Sequence, residues 1–253
     1  MNTEQKSAEQ KSEPDAVLLD FGGVLADAPF RADPPELVLR LYNLVQGALT
    51  PGRIQRSLIE GAAAYARWRD EDWPDELPQA DVWERFVIAD WPALAQVRVR
   101  GAIPRLSYDW AWRDGWALTP GIADALTAFT GAGIRLAIVS NTLCGAAHRD
   151  FLSKAGIGRL FAAQIYSDEA GVRKPNPQMI WSATDALGVS PANCWFVGDS
   201  RRRDILCARR ADIGTAILMP SGRDKTEDAA DWPEPDFTVR DGHALRDLLS
   251  GRP

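Results

Sequence analysis

The chain has 253 residues, 45% of them hydrophobic and 25% charged, with a formal net charge of -6. That balance is ordinary for a globular protein and excludes disordered, collagen-like and fibrous architectures. The acidic charge argues against a nucleic-acid partner, no apolar run approaches the roughly 18–20 residues of a membrane span, and the polar start MNTEQKSAEQKSEP lacks the apolar segment of a secretory signal. Residues 1–14 read as a solvated tail outside the fold. Ala16-Val-Leu-Leu19 is a short apolar run halted by Asp20 and the pair Gly22-Gly23. Such a run reads as a strand buried on both faces of a parallel sheet. From about residue 30 to 115 the character is helical, with apolar residues at helical spacing over 36–45. Seven of the ten tryptophans fall in or beside this stretch: Trp68, Trp73, Trp83, Trp91, Trp110, Trp112 and Trp116.

The strand pattern recurs three times. Residues 134–139 run into Ser140-Asn141-Thr142, residues 194–197 into Gly198-Asp199-Ser200, and residues 215–219 into Pro220-Ser221-Gly222. Helical segments are expected at 121–130, 146–155, 177–187 and 204–211, with an edge strand at 236–239 and a closing helix at 243–249. Strands alternating with helices of that length predict an α/β fold with a mostly parallel, Rossmann-like sheet and a ligand site outside the carboxyl ends of the strands. The expected division is a core of 15–29 with 116–253, and a helical insert of 30–115. Cys144, Cys194 and Cys207 are widely separated with no CxxC spacing, which predicts core cysteines, a reducing cytoplasmic setting and no structural zinc.

Four polar elements carry the candidate chemistry, three of them at these predicted strand ends. Asp20 sits at the tip of the first strand, before two glycines that let a ligand approach the backbone, although an aspartate there also initiates turns. Ser140 and Asn141 place a hydroxyl and an amide at a second tip, suited to a phosphate oxygen or to capping the next helix. Lys174 lies between Gly171 and the prolines Pro175 and Pro177, more restrained than a solvated loop lysine needs to be. Asp199 and Asp204 are five residues apart at a strand-to-helix junction. They can face one site and hold a hard cation such as Mg2+, or cap the helix and pair with Arg201-Arg202-Arg203.

In this order, the four elements resemble the haloacid dehalogenase (HAD) superfamily over about residues 15–249. Asp20, Ser140, Lys174 and Asp199/Asp204 match its four motifs. The insert resembles the family's C1-type helical cap, and the DFGGV first motif a variant within the C1-capped branch. The resemblance implies a Mg2+-dependent phosphatase that acts on a small phosphorylated metabolite through an aspartyl-phosphate. Asp20 would be the nucleophile. Mg2+ would be held by Asp20, Asp199 and the carbonyl of Gly22, with Asp204 in support. Ser140 and Lys174 would hold the phosphoryl oxygens, helped by Asn141 and by backbone N–H groups near Phe21 and Gly22. A monomer or homodimer is expected, with no nucleic acid and no membrane.

One position departs from the family pattern. Its phosphatases usually carry a second Asp two residues after the nucleophile, as general acid and base, and here that residue is Gly22. Losing such a group costs about 10²–10⁴-fold in rate. Three readings follow. A phosphatase without the acid would favour a leaving group that needs little protonation, such as a sugar 1-phosphate or acyl phosphate, with Asp27 and His148 as conceivable substitutes. A dehalogenase needs no acid, but the family's 2-haloacid dehalogenases use no metal and differ at Gly198-Asp199-Ser200. A binding or regulatory module would keep the fold and turn over slowly or not at all. His148 otherwise reads as a solvated or capping residue, and the tryptophans as packing, with Trp68, Trp73 and Trp112 as candidates to face the site. The arginine triplet is suited to an anionic substrate tail or, as the favoured reading, to balancing the neighbouring carboxylates, and Asp212 reads as a left-handed helix end.

Overall fold

Residues 13–28, 34–221 and 232–251 are described by the structure, a computed structural model. The expected tail at 1–14 lies outside them apart from Glu13 and Pro14. β1 (Ala16–Leu19) is buried throughout. Its side chains alternate between two cores: Val17 and Leu19 pack with Leu126, Phe129 and Leu136, while Ala16 and Leu18 pack with Ile180, Phe196 and Ala208. A strand covered on both faces is what a continuous apolar run requires.

β1 is an inner strand of a six-stranded sheet. Its partners are β4 (Arg135–Ser140), β5 (Ala163–Tyr166), β6 (Cys194–Gly198), β7 (Thr215–Leu218) and β8 (Phe237–Thr238), in the order β5-β4-β1-β6-β7-β8. Every pairing in this sheet is parallel. The α/β class and the parallel sheet therefore stand as expected. β5 was not expected, because Gln164 interrupts its apolar character at an edge where burial is only partial.

The first face is covered by α6 (Ile122–Gly131), α7 (Gly145–Lys154) and α11 (Gly242–Leu249), and the second by α9 (Gln178–Leu187) and α10 (Leu206–Arg210). The helix expected at 204–211 instead opens with a π-helical turn at Arg201–Ile205 and continues as α10. Asp212 follows with φ 55°, the left-handed conformation expected of it. A short helix, α8 (Ser167–Ala170), follows β5 directly.

Between β1 and α6 lie α1 (Pro35–Leu44), α2 (Pro51–Trp68), α3 (Gln79–Val82), α4 (Ala93–Arg100) and α5 (Ile103–Ala111). α2 starts with Pro51 in its first turn, and the Thr50 hydroxyl accepts the Arg53 N–H, a pattern that satisfies an otherwise orphaned donor. These helices enclose a core of their own, with Leu41, Leu58, Val99 and Leu106 around Trp83, Trp91 and Trp110. The Trp83 and Trp91 N–H groups donate to Ser107 and Ser57 at 2.9 and 3.0 Å, which allows the indoles to be buried. Two strands of two residues each, β2 (Ala26–Asp27) and β3 (Ala117–Leu118), pair antiparallel, so the chain leaves and re-enters the core side by side. Among the described residues, no helix is long and apolar enough to cross a membrane.

Candidate active site

The register of the sheet brings three strand tips level. Leu19 pairs with Ile138 on β4 and with Val197 on β6, so Asp20, Ser140 and Asp199 emerge beside one another. The Asp20 N–H donates to the Val197 carbonyl at 2.9 Å. The chain then turns tightly, with the Phe21 carbonyl accepting the N–H groups of both Leu25 and Ala26. Gly23 has φ +81°, and a Cβ there would lie 2.4 Å from Asp199 Oδ2, so this position requires glycine. Gly22 lies outside the left-handed region.

Lys174 is 2% exposed. Its Nζ lies 2.8 Å from Asp20 Oδ1 and 2.6 Å from Asp204 Oδ1. Burial by itself would lower the lysine pKa, but Asp20 and Asp204 together outweigh it and hold the pKa raised. Asn141 fixes the backbone at this point: its amide donates to the Lys174 carbonyl at 3.0 Å and accepts the Lys174 N–H at 2.8 Å.

Asp204 is fully buried. Its Oδ2 accepts the N–H groups of Asp199 and Ser200 at 3.1 and 3.0 Å, which folds the π-helical turn back onto the tip of β6. Turns of this type recur at functional sites. Gly198 leaves the room for this, since a Cβ there would meet the Asp204 Cβ at 2.1 Å. Gly198→Ala is therefore expected to cost about 1–3 kcal/mol of stability, as overpacking does, and to weaken divalent-cation binding; thermal melts across a cation titration read both effects.

Asp199 Oδ2 accepts the Ser221 hydroxyl at 2.5 Å, and its Oδ1 lies 3.6 Å from Arg203. Burial, then the charges of Asp20 and Asp204, pushes its pKa up to about 7. Ligand oxygens of Asp20, Asp199 and Asp204 lie within 4.8 Å of one another. Three carboxylates thus share a pocket with one buried lysine. The excess negative charge and the all-oxygen donor set fit a hard divalent cation.

Asp20, Ser140, Asn141, Lys174, Asp199 and Asp204 therefore converge, while Asn141 spends its side chain on the Lys174 backbone. His148 is not solvated. It is buried, stacked on Phe21 at 3.8 Å between ring centroids, and edge-on to Trp116 and Tyr166. The carboxylate of Asp27, at the end of β2, accepts the N–H of the next residue, Ala28. Trp73 is 58% exposed, with the Arg210 guanidinium over its ring. Trp68 stacks on Tyr65, and Trp112 on Tyr108. Within the arginine triplet, Arg203 faces Asp199, Arg201 pairs with Glu234 and Arg202 with Asp70. Sequence reasoning missed Ser167, Asp168, Glu76 and Gln79. Ser167 and Asp168 follow the tip of β5, so recognising that strand would have found the first two.

The family model for haloacid dehalogenase-like hydrolases matches residues 14–212. A phosphoglycolate phosphatase of Shigella boydii is 31% identical over 239 residues, which covers 92% of this chain and 90% of that protein. A glyceraldehyde 3-phosphate phosphatase of Methanopyrus kandleri is 30% identical over 130 residues, and the match spans 51% of this chain and 55% of that protein's length. Among solved structures, a 2-haloacid dehalogenase of Pseudomonas syringae pv. Tomato superposes with a TM-score of 0.62 at 18% identity, covering 93% of this chain and 96% of that one. At that identity the likeness concerns the fold alone.

Proposed function

The chain belongs to the haloacid dehalogenase-like hydrolases, and we propose that it is a Mg2+-dependent phosphatase of a small phosphorylated metabolite. The observation that carries this reading is the clustering of Asp20, Asp199 and Asp204 around the buried ammonium of Lys174. The phosphatase names of two curated relatives point the same way.

Asp20 attacks phosphorus in line. The new bond joins its carboxylate oxygen to phosphorus, and the bond to the ester oxygen breaks, that oxygen leaving as a weakly basic anion that takes its proton from solvent on release. Water then attacks phosphorus, the acyl-phosphate bond breaks, both protons of the water leave with the phosphate, and the carboxylate is restored. Two moderate barriers replace one high one. The Ser140 hydroxyl and the Lys174 ammonium hold phosphoryl oxygens, joined by backbone N–H groups of Phe21 and Gly22; positioned charge is the main tool of this chemistry. Mg2+ would be held by Asp20, Asp199 and the Gly22 carbonyl and would supply charge neutralisation between the anionic nucleophile and the anionic ester. Asp204 supports the site from behind, since its oxygens already engage Lys174 and two backbone amides.

The helical unit reached through β2 and β3 acts as a C1-type cap over the strand tips and excludes water during the first step. The buried, unpaired state of Cys144, Cys194 and Cys207 supports a reducing, cytoplasmic setting. Release of phosphate from a panel of phosphomonoesters, with and without Mg2+, tests the reading, with halide release from 2-chloropropionate as the control. Phosphate release that a chelator abolishes is the expected result. Halide release insensitive to the chelator would overturn it.

Gly22→Asp restores the acid that the family usually carries, at a glycine that is not among those with positive φ. Esters with poor leaving groups are expected to gain most, by up to about 10²-fold in kcat/KM. A fall for every ester would mean that another proton donor already serves the site.

A further inference from the structure

Residues 70–78, between α2 and α3, run with Gln79 at the start of α3 as a strap along the loops that follow the strand tips. Asp70 pairs with Arg202, and the Asp72 carbonyl accepts from Arg210, both in the segment after Asp199. The Pro74 carbonyl accepts the Arg173 N–H at 3.2 Å, and the Glu76 N–H donates to the Gly171 carbonyl at 2.9 Å. Gln79 donates to the Leu143 carbonyl and to Asp168, which in turn accepts the N–H of Gly145. One stretch of cap thus touches the loops that carry Asp199, Lys174 and Ser140.

Glu76 is the hub of this strap. Its buried carboxylate accepts the Tyr65 hydroxyl, the Ser167 hydroxyl at 2.7 Å and the Arg173 guanidinium at 2.5 Å. The Tyr65 hydroxyl is pushed up to about 12, chiefly by burial, with Arg173 opposing and Glu76 adding, so it remains a donor at physiological pH. From Glu76 two arms lead to the same lysine. One passes through Arg173 to its chain neighbour Lys174. The other passes through Ser167, which accepts the Thr142 N–H at 3.0 Å, and then through Asn141, which binds both backbone groups of Lys174. The result is a closed ring: Glu76, Arg173, Lys174, Asn141, Thr142, Ser167 and back to Glu76. A buried ion pair adds little stability compared with apolar side chains of the same shape.

We propose that Glu76 is a positioning residue by which the cap sets the placement of Lys174 and of the Ser140–Thr142 loop without touching the substrate. The inference rests on the phosphatase reading for its kinetic consequence and on the ring alone for its structural one. Two variants separate positioning from simple adhesion between cap and core. Ser167→Ala opens one arm and leaves the ion pair. Glu76→Leu combined with Arg173→Met removes the pair without stranding a buried charge.

Amide exchange at Thr142 and Lys174 and steady-state phosphomonoester hydrolysis are measured for both. Both variants are expected to keep the wild-type thermal midpoint within a few degrees. Exchange at the two amides should rise about tenfold or more, and kcat should fall about tenfold or more with KM changed less than about threefold, because misplacement acts on the transition state. Wild-type exchange in either variant, or raised exchange with unchanged kcat, overturns the proposal. If the unmodified protein hydrolyses no phosphomonoester, the phosphatase reading fails separately, and the exchange measurement still decides whether the ring holds Lys174.

Discussion

Asp20→Asn is expected to reduce Mg2+-dependent phosphate release by about 10⁴-fold or more, the scale of loss when a nucleophile is removed, while the fold stays at least as stable. The amide keeps the size of the carboxylate but cannot form the acyl phosphate. Stability should hold because the substitution removes one of three clustered negative charges. Lys174 retains Asp204 at 2.6 Å, and the upward pressure of Asp20 on the Asp199 pKa disappears. Single-turnover phosphate release and a thermal melt, both in chelator and in Mg2+, separate the two effects. A loss below about tenfold would remove Asp20 from the reaction. A large drop in melting temperature would make it a structural residue instead.

The parts of this site that can be read in the sequence are those where one strand ends in one polar residue. A strand buried on both faces leaves an unbroken apolar run, so Asp20, Ser140 and Asp199 stand out as its terminators. β5 breaks this rule through Gln164, and Ser167 and Asp168 were lost with it. His148 lies three and four residues before Phe151 and Leu152, which are buried on the same helix. That spacing carried the signal of a buried imidazole, and the chemical reputation of histidine obscured it. Asp204 was found, but its placement in a π-helical turn was not, because one extra residue in a helical turn leaves no compositional trace. Glu76 was invisible for a different reason. It stands among Glu71, Asp72 and Asp75, and only its encounter with Arg173, 97 residues away along the chain, distinguishes it from solvated neighbours. Chemistry at strand tips is local in sequence, whereas the meeting of Glu76 with Arg173 is tertiary.

Lys174→Met is expected to lower turnover by about 10²–10³-fold, comparable to losing one preorganised donor at a developing charge, and to cost stability as well. The methionine fills similar space but leaves Asp20 and Asp204 without their shared cation. Removing one partner from a buried pair costs about 3–5 kcal/mol. For a chain of this size each kcal/mol moves the midpoint by about 2–4 °C, so melting in chelator should fall by roughly 6–20 °C. Mg2+ should raise the midpoint of the variant by more than that of the unmodified protein, because the uncompensated carboxylates bind a divalent cation more tightly and ligand binding stabilises the folded state. Activity should not return with it, since no ammonium remains for the phosphoryl oxygens. Adding Asp204→Asn to Lys174→Met tests the electrostatic cause directly. The asparagine carbonyl can still accept the Asp199 and Ser200 amides, and one buried charge is gone, so the double variant should recover much of the lost stability and none of the turnover. If instead Lys174→Met melts with the unmodified protein in chelator, the carboxylates are solvated well enough to stand alone, and the lysine serves only the substrate.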